Sequence, residues 1–348
     1  MRKFLPSFLL SLAVVAAVTV AIAAVALATA AGAVHAAPPA LNIYTYDSFE
    51  SKWGPGPKIK TAFEAQCDCV LNYVAADSST GILSRVQLEG AATRADIVLG
   101  LDNHLMVEAK KTGLLAAHHV DLSRLDAPFA WDDPVFLPFD YGYFAFIYDR
   151  EKLPRPPASL HELVTAGDAL KILIQDPRSS TPGLGLLLWV KAVYGDEAFD
   201  AWRQLADNIV TVTRGWSEAY GLFLDGEADM VLSYTTSPAY HIAVDGEHKY
   251  RAAAFAEGHA MQIEVAAQLA SVRQPALAQR FMRFIVSREF QSVIPESQWM
   301  YPVVDLPGGL PAAYAELVQP AARLQLDPHL VAENKAAWVE EFSRALSR

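Results

Sequence analysis

Three separated stretches of this chain end an apolar run in hydroxyls and aromatic rings: Tyr44–Phe49 (YTYDSF), Leu232–Tyr240 (LSYTTSPAY) and Gln298–Pro302 (QWMYP). Tyr, Ser, Thr and Trp at strand ends suit a cleft that grips a flat ligand by its faces and holds its polar end with hydroxyls. No matching concentration of nucleophiles, general bases or metal ligands accompanies them, so the chemistry they imply is binding rather than bond-making. Ser179, Ser180 and Thr181 precede Pro182 at an expected helix start. Free N–H groups and hydroxyls at such a start favour an anion, phosphate included, although an ordinary N-cap uses the same residue types. Gly183-Leu184-Gly185 lacks the third glycine and the Lys-Ser/Thr of nucleotide loops, so it is not a phosphate loop for ATP.

Two cysteines, Cys67 and Cys69, stand in C-x-C spacing. In an oxidising compartment they pair in a small strained ring or remain two semi-buried thiols, and they lack the partners of a zinc site. His118-His119 reads as a solvated turn, and Asp132-Asp133 as a loop acid pair.

The elements that must position these residues alternate between strands and helices. Leu41–Thr45, Val70–Val74 and Ala95–Leu99 read as strands, separated by helices over Pro57–Ala65 and Ile82–Glu89. This rhythm predicts a parallel sheet with helices on both faces, and a ligand site outside the carboxyl ends of its strands. Phe139–Asp149 (FDYGYFAFIYD) is too continuously apolar to be half-exposed, and is expected to carry the chain from one lobe to the next. Strands at Leu170–Ile174, Val210–Val212 and Met230–Leu232 follow, with helices at Pro182–Tyr194 and near Ser217–Leu224. Ile263–Leu269 is the expected return strand, and Gln274–Val286 a helix laid back on the first lobe.

At the N-terminus, Arg2 and Lys3 precede an apolar run to Val34, and Val34-His35-Ala36 has the small-x-small pattern of a cleavage site. Residues 1–36 are therefore expected to be a signal peptide, with Ala37 as the mature start. The run is also long enough for an uncleaved anchor, since about 20 apolar residues span a bilayer. Without it the chain keeps 26 basic and 39 acidic side chains, a formal charge of −13. That excess opposes nucleic-acid binding, which needs a basic face. The expected organisation is 37–145 as the first part of lobe 1, 146–262 as lobe 2, 263–305 as the return to lobe 1, and 306–348 as C-terminal helices packing across the lobes. Two lobes joined by crossing strands form a clamp that closes by hinge motion.

Long blocks in order carry a resemblance: YTYDSF with Trp53–Pro57 (WGPGP), Ala95–Asn103, Pro138–Asp149, Gln175–Trp189, Gly215–Leu224, Val231–His241 and Trp299–Pro302. From about Leu41 to the C-terminus the chain resembles the periplasmic thiamine-binding proteins of thiamine ABC transporters. The resemblance implies an α/β, type II periplasmic-binding-protein fold, two β/α lobes with the ligand in the interlobe cleft. It implies a periplasmic receptor for thiamine and its phosphate esters that performs no catalysis and needs no cofactor. Its partners would be an ABC permease and a separate ATPase subunit, and it would act as a monomer. Trp299 and Tyr240 are then expected to stack on the ligand rings, with Tyr46 and Trp53 closing the other wall. Ser180 and Thr181 are expected at the ligand together with Trp216 and the run Tyr234, Thr235, Thr236, Ser237.

One departure stands out. Where the family has an acidic residue followed by Asp-Gly after the second strand, this chain reads Asp77-Ser78-Ser79, so the matching ligand positions are Ser78 and Ser79. Two rival readings remain at this stage. A ferric-ion or other solute receptor has the same fold, although this chain offers no adjacent tyrosine pair at Tyr234 and Tyr240. A thiamine-degrading enzyme would use Cys67 or Cys69 as nucleophile, and neither has an obvious base nearby in sequence.

Overall fold

The computed structural model describes residues 37–347; the leader expected over 1–36 lies outside them. The first lobe is built from β1 (Ala40–Tyr46), α1 (Gly56–Glu64), β2 (Val70–Ala76), α2 (Ser79–Glu89), β3 (Ile97–Asp102) and α3 (Met106–Lys111). The chain then enters β4 (Phe136–Asp149). Beyond it lie β5 (Ile172–Gln175), α4 (Thr181–Tyr194), α5 (Ala198–Leu205), β6 (Ile209–Thr213), α6 (Trp216–Leu224) and β7 (Met230–Tyr234). A second long strand, β8 (His259–Leu269), precedes α7 (Pro275–Ile285), and α8 (Pro328–Leu346) closes the fold.

Strand order is β2-β1-β3-β8-β4-β7-β5-β6. Within each lobe the outer strands pair in parallel, as the β-α alternation predicts. The all-parallel expectation fails at the centre, where β8 runs antiparallel to both β3 and β4, and β4 antiparallel to β7. The physical reason lies in the two long strands. The first part of β4 (Phe136–Tyr143) pairs with β8 and the rest (Phe144–Tyr148) with β7, so one 14-residue strand belongs to both lobes. At about 3.3 Å per residue it spans roughly 45 Å. All eleven residues of β8 are buried, including the polar His259, Gln262, Glu264 and Gln268.

Helix α4 is apolar on every side because it lies inside the molecule; its first ten residues are all buried. Gly185 allows the close approach, since a Cβ there would overlap the Phe144 ring of β4. Helix α8 starts at Asp327, whose carboxylate accepts from the His329 and Leu330 N–H groups. It packs on α3 of one lobe and on α4 and α5 of the other. Lys335 pairs with Glu108 and Lys191 with Glu341, while Phe342 meets Trp202 edge-on. No helix among the described residues is long and apolar enough to cross a membrane.

Candidate functional site

Five chain segments end at the same place. Tyr46 closes β1, Ser78 and Ser79 open α2, Ser180 and Thr181 open α4, Trp216 opens α6, and Tyr234 closes β7. With Trp53, Ser237, Tyr240 and Trp299 they line a cavity of about 690 Å³ between the lobes, within the usual range for small-molecule sites. Thr235 and Thr236 do not line it. Thr235 continues the ladder by donating its N–H to the Tyr143 carbonyl at 2.8 Å, and its side chain is fully buried. Thr236 is fully buried too, with its hydroxyl 3.9 Å from the Met300 sulfur.

The walls are aromatic. Trp299 meets Tyr240 edge-on, with ring centroids 5.6 Å apart. Its backbone is left-handed (φ 57°, ψ 38°) at the end of the turn Ile294–Gln298, and its N–H is held by the Ile294 carbonyl. A bulky residue reaches that region only where its surroundings force it, often at a ligand site. Trp216 stacks on Tyr220 at 5.0 Å, and Tyr220 on His241 at 5.9 Å. His241 donates through Nδ1 to Asp245 and accepts at Nε2 from the Tyr220 hydroxyl, each at 3.0 Å. Burial lowers the His241 pKa, in keeping with a neutral ring between these partners. Trp216 Nε1 donates to Ser233 Oγ at 2.7 Å, and Ser233 in turn contacts Ser237 Oγ at 2.7 Å. Trp53 is 54% exposed at the rim. Tyr46 brings one edge of its ring against Gly100, whose φ of 103° and missing Cβ leave room for it.

The polar end is less simple than its sequence. Ser180 occupies the N-cap position of α4 but its side chain makes no capping bond, although it borders the cavity. Ser78 does cap, accepting from the Gly81 N–H at 3.3 Å. Ser79 donates to the Gly100 carbonyl at 2.5 Å and accepts from Thr181 Oγ1 at 2.9 Å, a buried bridge from one lobe to the other. Near it Arg214 pairs with Asp77 across the same seam, both largely exposed. The departure at Asp77–Ser79 thus supplies interlobe contacts, with Asp77 turned to Arg214.

Several lining residues escaped sequence reasoning: Arg214, Glu218, Tyr220, His241, Gln262 and Glu264. One had a signal, since Glu264 is the lone charge within an otherwise uncharged buried strand. Glu264 Oε2 accepts from the Tyr46 hydroxyl at 2.9 Å and from Gln298 Nε2 at 3.0 Å. Burial pushes its pKa up to about 7 against these stabilising hydrogen bonds. Burial, then Glu264 and Asp140, raise Tyr46 well above a normal phenol. Tyr234, raised by burial and Glu264, donates to Gln262 Oε1 at 2.8 Å.

Cys67 and Cys69 are joined in a disulfide, and neither borders the cavity. A thiolate nucleophile is therefore not available to the site.

Aromatic faces and hydroxyls converging from two lobes on one cleft, with two strands running between them, define a clamp that captures a small solute. The chain belongs to the bacterial extracellular solute-binding proteins, whose family profile matches residues 58–296. It is 54% identical over 312 residues to the thiamine-binding periplasmic protein of Escherichia coli, covering 90% of this chain and 95% of that one. A solved periplasmic thiamin binding protein superposes with a TM-score of 0.87 at 53% identity, over 89% of this chain and 97% of the other. A ferric binding protein from Campylobacter jejuni shares the fold alone, with a TM-score of 0.71 at 19% identity over 88% of this chain and 99% of that one.

Proposed function

We propose that this protein is a periplasmic receptor that closes on thiamine and its phosphate esters and passes them to an ABC importer, making and breaking no bond. The observation that carries the reading is the cavity itself, walled by rings from both lobes and ending at a hydroxyl-lined helix start. Thiamine is a flat aminopyrimidine joined to a cationic thiazolium with a hydroxyethyl tail. Electron-rich rings attract such a cation by about 0.5–2 kcal/mol per contact, depending on desolvation. In this reading Trp299, Tyr240, Tyr46 and Trp53 hold the rings, with Trp216 and Tyr234 beside them. The start of α4, with Ser180 and Thr181, receives the tail or its phosphate. Ser78, Ser79 and Ser237 border the ligand and hold the surrounding backbone. Relatives named for thiamine binding across about nine-tenths of the chain support the ligand class.

The receptor acts as a monomer, and the permease and ATPase are separate chains. Native mass spectrometry on protein purified without added ligand, followed by titration calorimetry with thiamine and both phosphates, tests the reading. Saturable binding to at least one form is expected. A protein that ignores all three refutes it.

A further inference from the structure

Beneath the cleft, three acidic side chains stand together in the sheet, and one of them, Glu264, borders the cavity. Asp102, Glu264 and Asp140 are cross-strand partners on β3, β8 and β4, and are 0%, 4% and 0% exposed. Among the described residues no lysine or arginine pairs with any of them. Asp102 accepts from the His104 N–H at 2.8 Å, and His104 Nδ1 lies 3.5 Å away. The other titratable groups around the three are Tyr46 from β1, Tyr234 from β7 and Tyr314 from the turn Ala312–Glu316. None of these phenols is a cation. Carboxylates are rarely buried this way unless they are paired or protonated.

Asp140 sharpens the point. Neither of its oxygens has a hydrogen-bond donor, although it sits opposite Glu264. The bond open to it is one it makes by carrying a proton and donating to the Glu264 carboxylate. Glu264 is the member of the pair that borders the cavity, between Tyr46 and Gln298. Burial and mutual repulsion raise the Asp140 pKa well above the carboxylate range, which agrees with this geometry.

We propose that Asp140 and Glu264 form a proton-exchanging counter-charge for the cationic part of the ligand, releasing their shared proton when the cation enters the cleft. The O–H bond of Asp140 breaks, its electron pair stays on the carboxylate, and the proton passes to solvent. The freed negative charge then sits on Asp140, and Glu264, which borders the cavity and no longer accepts the Asp140 proton, presents its own carboxylate to the bound cation with Asp140 behind it. The proposal rests on the ligand being cationic, as thiamine is. Affinity then rises with pH through the neutral range, by up to about tenfold per pH unit where one proton is fully linked.

Calorimetric titration with thiamine at pH 7, in two buffers of different ionisation enthalpy, reads the released proton. Wild type should give heats that differ between the buffers, and Asp140→Asn heats that do not. An uncharged thiamine analogue, with the thiazolium nitrogen replaced by carbon, should bind wild type without the buffer difference. Buffer-independent heats for thiamine binding to wild type overturn the proposal. If thiamine does not bind at all, the receptor reading fails, and the ligand-free protein still decides the pair. Its infrared spectrum at pH 6 should show a protonated carboxyl band that weakens in Asp140→Asn and in Glu264→Gln. A spectrum unchanged by both substitutions removes the proton-sharing pair independently of any ligand.

Discussion

Trp299 and Tyr240 face each other edge to face, centroids 5.6 Å apart and planes at 86°, although they come from opposite sides of the cleft. The pair therefore spans the cleft as well as lining its cavity. Trp299→Ala and Tyr240→Ala should each weaken thiamine at least tenfold, or about 1.4 kcal/mol. The double variant should lose less than the sum, because an edge-to-face pair couples by about 0.5–1.5 kcal/mol. Calorimetry on the four proteins closes the cycle. Affinities equal to wild type in both single variants would remove these rings from the site.

Much of the frame was legible because burial wrote it into the sequence. The largely apolar and aromatic run of β4 required a strand covered on both faces, and that strand does cross between lobes. The N-terminal extension of β8 to His259 was not legible, since His259 and Gln262 interrupt the apolar pattern with polar groups that are satisfied only in three dimensions. The hydroxyl run after β7 pointed to the site, but which hydroxyls turn inward depends on where the ladder ends. Thr235 stays in the ladder and Ser237 does not. His118, expected in a solvated turn, is buried between the Val120 N–H and the Asp133 carbonyl. Arg214 entered the cavity from a loop with no local signal at all.

Ser180 and Ser78 are both N-cap serines, and only Ser78 caps. Ser78→Ala should cost about 1 kcal/mol of stability and weaken all forms of thiamine to a similar degree. Ser180→Ala should leave the melting temperature nearly unchanged and weaken phosphorylated thiamine more than thiamine. Parallel thermal melts and calorimetry on the two variants separate these effects. An equal loss across all forms in Ser180→Ala would assign that hydroxyl no part in phosphate recognition.

Two contacts hold the lobes together at the mouth, and they should differ in strength. The Ser79–Thr181 bridge is buried, so its loss in Thr181→Val is worth about 0.5–1.5 kcal/mol. The Arg214–Asp77 pair has side chains 74% and 55% exposed, where ion pairs contribute about 0–1 kcal/mol and fade with salt. Stopped-flow measurement should show faster thiamine release in Thr181→Val at any ionic strength. Arg214→Ala should accelerate release only at low salt. The opposite ranking would make the surface pair the main closure contact.

His259 ties acid stability to the core of the second lobe. It is fully buried; its Nδ1 lies 2.7 Å from the Phe144 carbonyl and Nε2 accepts from the Phe255 N–H at 3.1 Å. Both nitrogens are thus used by a neutral ring with its proton on Nδ1. Protonating Nε2 would replace an acceptor with a donor aimed at the Phe255 N–H. Burial accordingly lowers the folded-state pKa below its ordinary 6.5. Below pH 6.5 the unfolded chain then binds a proton that the folded one refuses, so stability must fall as pH drops from about 6.5 towards the lowered value. His259→Gln keeps one donor and one acceptor but cannot titrate. Its stability at neutral pH should be lower than wild type, and its loss between pH 6.5 and 5 shallower. Urea unfolding at several pH values measures both slopes, and parallel curves for the two proteins would clear His259 of any part in acid sensitivity.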